Sequence, residues 1–242
     1  MKLYSGPLSM FGAKAEIAVR EKGLAVELVM VPFDMTALYS PKHPEVVRIN
    51  PKRQVPVLID DDLEIFDSTQ IFEYLETIKP EPGLWPADAR QRARARRLEL
   101  ESDEVYFPPI IRLMGLQSTP QDPTAVEARA AAAAFYNRME TVLGEREWLA
   151  GEYSYADIAF YMAQLFGERM GAPLAEAHPR LRDWRARMGT RPAVGAVVGA
   201  MARYLLSQGR KVPGFMASLD RGPPGPLMIE ADQEVRGPMT WP

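Results

Sequence analysis

The chain has 242 residues, room for one to two domains at roughly 150 residues each, and 47% of them are apolar and 25% charged. That composition excludes a disordered or fibrous chain, and a net charge of −3 gives no global attraction to nucleic acid or to an anionic membrane. Cysteine is absent and the histidines are His43 and His178 alone, which removes disulfides, thiolate metal ligation and a cysteine nucleophile and makes a Ser-His-Asp triad or a His-rich metal site hard to assemble.

No apolar run reaches the roughly 18 residues of a membrane span, and the opening MKLYSGPLSM has neither the apolar core nor the cleavage site of a signal peptide, so a cytoplasmic protein is expected. Met1 to Ser5 reads as a strand. Phe11 to Lys22 reads as a helix with small or apolar residues at Ala13, Ile17 and Ala18, a charged last turn and a stop at Gly23. Val26 to Val31 reads as a second strand, completing a βαβ unit. Val57 to Ile59 and Leu63 to Phe66 flank the turn Asp60-Asp61-Asp62 as a hairpin, and a helix follows from Ser68 with Ile71, Tyr74, Leu75 and Ile78 on one face.

Lys79-Pro80-Glu81-Pro82-Gly83 then reads as a linker, after which strand signals give way to long helices, including the Ala-rich stretch Ala125 to Leu143. Beyond Gly209 proline and glycine dominate, and no regular structure is expected there. The resulting organisation is a small α/β domain over residues 1–80, an all-helical domain over 86–209 and a tail over 210–242.

The segment from Leu3 to Leu24, the run Arg48-Ile49-Asn50-Pro51-Lys52-Arg53-Gln54-Val55-Pro56 and the triplet Asp67-Ser68-Thr69 together resemble, in order and spacing, the glutathione-binding half of bacterial glutathione transferases of the serine type. The resemblance covers about residues 1–205. It implies a thioredoxin-like first domain with a mixed four-stranded sheet, followed by a helical bundle. It also implies that Ser9-Met10-Phe11-Gly12 stands where a thioredoxin would carry C-x-x-C, making Ser9 the candidate catalytic residue, with Tyr4 and Ser5 as rivals. Many serine-type members carry proline just after the serine, where this chain has Met10 and Phe11.

A serine hydroxyl at that place donates to the sulfur of bound glutathione and favours thiolate over thiol. Lowering a thiol pKa of about 8.5 by two units takes about 2.7 kcal/mol. One charge-assisted hydrogen bond of about 1.5–3 kcal/mol with a helix-end contribution of about 0.3–1 kcal/mol covers it. The plainer reading of Ser9 is a helix cap.

By the same resemblance Val55-Pro56 is a cis-proline step that pairs with the cysteinyl backbone of glutathione. Lys42 reaches the glycine carboxylate, Gln54 reaches the tripeptide, and Asp67 and Ser68 take its γ-glutamyl end. Asp67-Ser68-Thr69-Gln70 also reads as a capping box, as does Ser154-Tyr155-Ala156-Asp157. An acceptor pocket lined by Leu8, Met10, Phe11, Tyr106, Phe107, Ile110 and Met114, with Phe215 and Met216 as further candidates, would suit an apolar or aromatic electrophile. Pro108-Pro109 is expected to interrupt its helix. The arginine run Arg90 to Arg97 is followed at once by Glu99, Glu101, Asp103 and Glu104, and reads as a solvated or subunit-interface face rather than a nucleic-acid site.

The expected function is thus detoxifying transfer of the glutathione sulfur to an electrophile by a homodimer, with glutathione as co-substrate and no metal. A glutathione-dependent lyase, dehalogenase or peroxidase, and a non-catalytic binding module of the same fold, are the alternatives.

Overall fold

The computed structural model describes residues 1–219. Strands β1 (Lys2–Ser5), β2 (Glu27–Met30), β3 (Val57–Asp60) and β4 (Leu63–Phe66) form one sheet in the order β2-β1-β3-β4, with β1 parallel to β2 and the other pairs antiparallel. This is the mixed four-stranded sheet expected of a thioredoxin-like domain. Alternation along β1 sorts the side chains. Leu3, with Leu28 and Leu58, joins the main core beneath α1 (Met10–Glu21) and α3 (Ser68–Ile78), whereas Tyr4 joins Val29, Val31, Val46 and Val57 on the opposite face. That second face is covered by α2 (Pro44–Ile49), a helix absent from the sequence reading; Pro44 starts it and His43 caps it, Nδ1 accepting from the Glu45 amide at 3.3 Å.

The charged last turn of α1 has an unexpected fate. Lys22 is buried, its Nζ 2.5 Å from Glu76 and donating to the carbonyls of Pro82 at 2.7 Å and Pro80 at 3.3 Å. It fastens the first domain to the linker.

The second domain comprises α4 (Ala89–Glu101), a wide π-helical turn (Ser102–Tyr106), α5 (Phe107–Arg112), a 3-10 turn (Leu113–Leu116), α6 (Pro123–Leu143), α7 (Tyr155–Arg169), α8 (Pro179–Thr190) and α9 (Pro192–Ser207). The Pro108-Pro109 pair occupies the first turn of α5, where a missing N–H costs little, and the disturbance falls on the wide turn just before it. Helix α7 is the axis of the molecule: every residue from Tyr155 to Gly167 is buried, and it packs against α1, α4 and α8. Its N-terminus carries the expected capping box. Asp157 accepts from the Ser154 amide at 3.0 Å and also receives the Leu149 amide at 3.0 Å and Trp184 Nε1 at 2.9 Å.

One expectation about the tail is corrected. Gly214–Ala217 forms a single helical turn, α10, because Met216 is drawn completely into the core and Pro213 sets the turn's entry. Residues 220–242, the rest of that tail, lie outside the described residues.

Candidate active site

Extending the strand ladders by one residue sets Ser5 opposite Pro56 and Pro56 opposite Asp67. The Gly6–Ser9 loop, the Val55-Pro56 step and the start of α3 therefore sit side by side at one end of the sheet. Strands lie about 4.8 Å apart, so the row spans about 10 Å, the length of a short extended peptide.

At one end of the row, Ser9 caps α1. Its Oγ accepts the Gly12 amide at 3.0 Å. A hydroxyl has one hydrogen to donate and two lone pairs, so capping leaves that hydrogen available. Cap and thiol donor, set apart in the sequence reading, are compatible roles for the same side chain. Tyr4 points to the other face of the sheet, 5.1 Å between ring centroids from His43. Ser5 is fully buried and its hydroxyl has no hydrogen-bond partner; a Cβ on Gly12 would collide with it, which is why the helix needs glycine at that turn.

The loop is braced by a residue the sequence reading missed. Tyr39 fills the space a side chain on Gly6 would need, and its hydroxyl accepts the Leu8 amide at 3.3 Å. Burial pushes the Tyr39 phenol above its ordinary pKa, so it stays neutral. No local pattern marks such a residue, because its partner lies 31 positions away. Lys42 is exposed, its Nζ 5.8 Å from the Tyr39 ring centre.

In the middle of the row the Val55–Pro56 peptide is cis. Asn50 Nδ2 donates to the Gln54 carbonyl at 2.6 Å, holding the approach to it, and the Gln54 side chain is exposed.

At the far end, Asp67 caps α3, accepting the Thr69 amide at 3.0 Å, with φ 77° and ψ 132°. A non-glycine residue held there costs about 1–3 kcal/mol and has to be imposed by its surroundings. This φ turns the Asp67 N–H away from the first turn of α3, so the expected capping box does not close and Gln70 is exposed. Ser68 is 2% exposed and its Oγ has no partner. A buried hydroxyl beside the open amides of a helix N-terminus fits an incoming carboxylate, and Asp67, partly exposed, fits an ammonium group.

Behind the row lies a buried ionic network joining the two domains. Lys14 of α1 is fully buried, with Nζ 3.1 Å from Glu99 and 2.5 Å from Asp103. Thr69 Oγ1 donates to Glu99 at 2.6 Å. Burial alone would lower the Lys14 pKa, but the two carboxylates reverse this and hold it above the usual lysine value. Burial pushes Asp103 up to about 6 against the pull of Lys14.

The residues expected to line an acceptor pocket divide. Phe11 is partly exposed and packs on Phe107 at 4.9 Å between ring centroids, Leu8 is partly exposed and Met114 is open to solvent. Met10, Tyr106, Phe107 and Ile110 are buried in the main core, and the Tyr106 hydroxyl is engaged by that of Tyr136, which donates to the Ala172 carbonyl at 2.8 Å. Phe215 lies elsewhere, against Tyr161 and Arg185, and Met216 is core. Among the described residues, no group of three or more His, Asp or Glu side chains is placed to hold a metal ion, and no helix is long and apolar enough to cross a membrane.

Comparison with known proteins agrees with this architecture. Residues 3–83 match the family described as glutathione S-transferase, N-terminal domain, and residues 104–192 match its C-terminal domain. The chain is 30% identical over 212 residues to glutathione S-transferase 3 of Zea mays, covering 83% of this chain and 94% of that one. It is 36% identical over 109 residues to a stringent starvation protein A homolog of Coxiella burnetii, of which the match spans only 48%. Among solved structures, a glutathione S-transferase from Rhodospirillum rubrum superposes with a TM-score of 0.74 at 28% identity, covering 90% of this chain and 99% of that one. With both domain types matched in order and a relative spanned almost end to end, the chain belongs to the glutathione S-transferase family.

Proposed function

We propose that the protein is a serine-type glutathione transferase in which Ser9 holds the glutathione sulfur as thiolate for attack on an apolar or aromatic electrophile. The observation that carries this reading is the pairing, at the two ends of one row, of a capping serine with an uncommitted hydroxyl hydrogen and a buried serine hydroxyl without a partner. Ser68, Asp67 and the first amides of α3 take the γ-glutamyl group, the Val55 backbone takes the cysteinyl unit, and Gln54 and Lys42 face the glycine end. Tripeptide recognition then fixes the sulfur within reach of Ser9.

In the reaction the thiol proton leaves to solvent and the sulfur lone pair forms a carbon–sulfur bond. In addition, the adjacent carbon takes up a proton. In displacement, the leaving group departs with its bonding electrons. Without a cysteine in the chain, mixed-disulfide chemistry on the protein is unavailable.

The protein acts as a cytoplasmic homodimer in this reading. Leu100 and Val105, more than half exposed on α4 and the following turn, supply the apolar contact that an isolated chain leaves in water.

The test is a titration of glutathione followed by its thiolate absorbance. Wild type is expected to bind glutathione and show a thiol pKa well below 8.5, and Ser9→Ala to raise it by one to two units. No binding at millimolar glutathione would favour a non-catalytic module, and an unchanged pKa in Ser9→Ala would return the role to Tyr4 or Ser5.

A further inference from the structure

Helices α1 and α7 run antiparallel. Tyr153, just before α7, donates to Glu21 at the end of α1 at 3.1 Å, so the start of α1, capped by Ser9, faces the end of α7. That end carries Phe166 and, three residues on and hence on the same face, Arg169. Phe166 stacks on Phe107 at 5.3 Å, and Phe107 packs on Phe11 at 4.9 Å. A chain of aromatic contacts therefore runs from partly exposed Phe11 inward through Phe107 and Phe166, both buried in the main core, towards the end of α7, and the Arg169 charge interacts electrostatically with Tyr39, which braces Leu8.

Arg169 is partly buried, yet among the described residues its side chain has no ion pair and no hydrogen bond. Two other partly buried arginines of the second domain, Arg185 and Arg191, each meet a carboxylate at 2.7 Å. The adjacent carboxylate, Glu168, is turned away to Arg185 and accepts from Gln164 at 2.9 Å. Burial holds the Arg169 pKa below the ordinary guanidinium value, opposed by Tyr39. A guanidinium keeps its charge under any such shift, and removing it from water without a counter-charge is unfavourable unless a ligand supplies one.

We propose that Arg169 is a specificity-determining residue, reading a carboxylate on the acceptor substrate at the end remote from its reacting carbon. The acceptor class is then an aryl or conjugated electrophile bearing a carboxylate, its apolar body against partly exposed Leu8 and Phe11 and its anion in the planar fork of Arg169. This rests on the thiolate-transfer reading above, since that reading places the acceptor beside Ser9. The C-terminal end of α7 also favours a cation at Arg169, but by itself it provides no fork-shaped partner.

The experiment uses the full chain and two probe pairs. Binding of 3-nitrobenzoate and 3-nitrobenzamide is measured by calorimetry, and turnover of 4-chloro-3-nitrobenzoate and its carboxamide is measured with glutathione. Wild type is expected to bind the benzoate at least tenfold tighter and to show the same preference in kcat/KM. Arg169→Met abolishes both preferences with the KM for glutathione unchanged, and Arg169→Lys retains part of them. Equal binding of benzoate and benzamide by wild type overturns the proposal. So does an Arg169→Met defect that appears as a raised KM for glutathione and vanishes with glutathione amidated at its glycine carboxylate, because the guanidinium then reads the co-substrate. Benzoate preference in binding without any turnover supports the Arg169 site while sinking the transferase reading.

Discussion

Replacing Lys14 with methionine removes the one cation of a buried network and keeps its apolar stem, so packing against Phe11 and Phe72 is largely preserved. Glu99, 2% exposed, and Asp103 are then left without their shared cation, and the Thr69 hydroxyl donates to Glu99 alone. Breaking a buried pair by removing one partner costs about 3–5 kcal/mol. Asp103 can relieve part of this by taking a proton. Its carboxyl, already raised by burial to about 6, moves higher without Lys14. An acid whose folded pKa lies above its unfolded value loses stability as pH rises between the two, so the deficit of the variant is expected to grow from pH 5.5 to pH 8. Urea denaturation at both pH values measures it. The triple variant Lys14→Met, Glu99→Gln, Asp103→Asn should recover most of the loss. Because Glu99 also anchors Thr69 in the first turn of α3, Lys14→Met should weaken glutathione binding by more than threefold. A loss under about 1 kcal/mol at pH 8, or a deficit that shrinks with rising pH, would refute the reasoning.

Three further outcomes follow from other parts of the molecule. Gly12→Ala drives a methyl group into Ser5 and should cost about 1–3 kcal/mol in chemical denaturation, with Ser5→Gly restoring part of it; a neutral Gly12→Ala would mean that the turn relaxes freely. Burial raises Asp157 to about 6, above its unfolded value of about 3.9, so it disfavours the fold increasingly as pH climbs from about 4 through 6. Asp157→Asn should therefore lose less stability relative to wild type at pH 7 than at pH 4.5, a comparison of thermal midpoints that a pH-independent difference would contradict. Val105→Glu places a charge on the proposed dimer face and should shift sedimentation from dimer to monomer, and an unchanged sedimentation coefficient would move the interface elsewhere.

Local patterns alone mark Ser9 and Asp67 as helix caps and Pro56 as the start of a strand; it is the family resemblance that singles out Ser9, Val55-Pro56 and Asp67-Ser68 together, and strand pairing brings the three segments side by side. The capping box at Ser154 to Asp157 was legible locally: its hydrogen bonds close over three residues. Asp67 shows the limit of local reading, because its cap formed but its φ of 77° turned its amide away from the reciprocal bond to Gln70.

Side chains whose partners lie far away in the chain could not be read in this way. Lys22 read as part of a charged last turn before Gly23 and is a buried clamp on the linker, 58 and 60 residues from its carbonyls. Lys14 had no sequence signal, since its carboxylates are 85 and 89 residues away. Tyr106 and Ile110 carry the same apolar signature whether they face a cleft or a core, and packing against α6 and α7 sent them inward.

Composition, periodicity and three spaced motifs were enough to determine an α/β domain followed by helices, a resemblance to the glutathione S-transferase family, and the absence of any protein thiol. These properties depend on neighbours within a few residues. The packing of α7 against α1 and α4 decided where the charges fall: Lys14 neutralised at the domain seam, Arg169 at the C-terminal end of α7 without a carboxylate partner among the described residues. That choice depends on which helix faces which, a long-range packing outcome that no local pattern encodes.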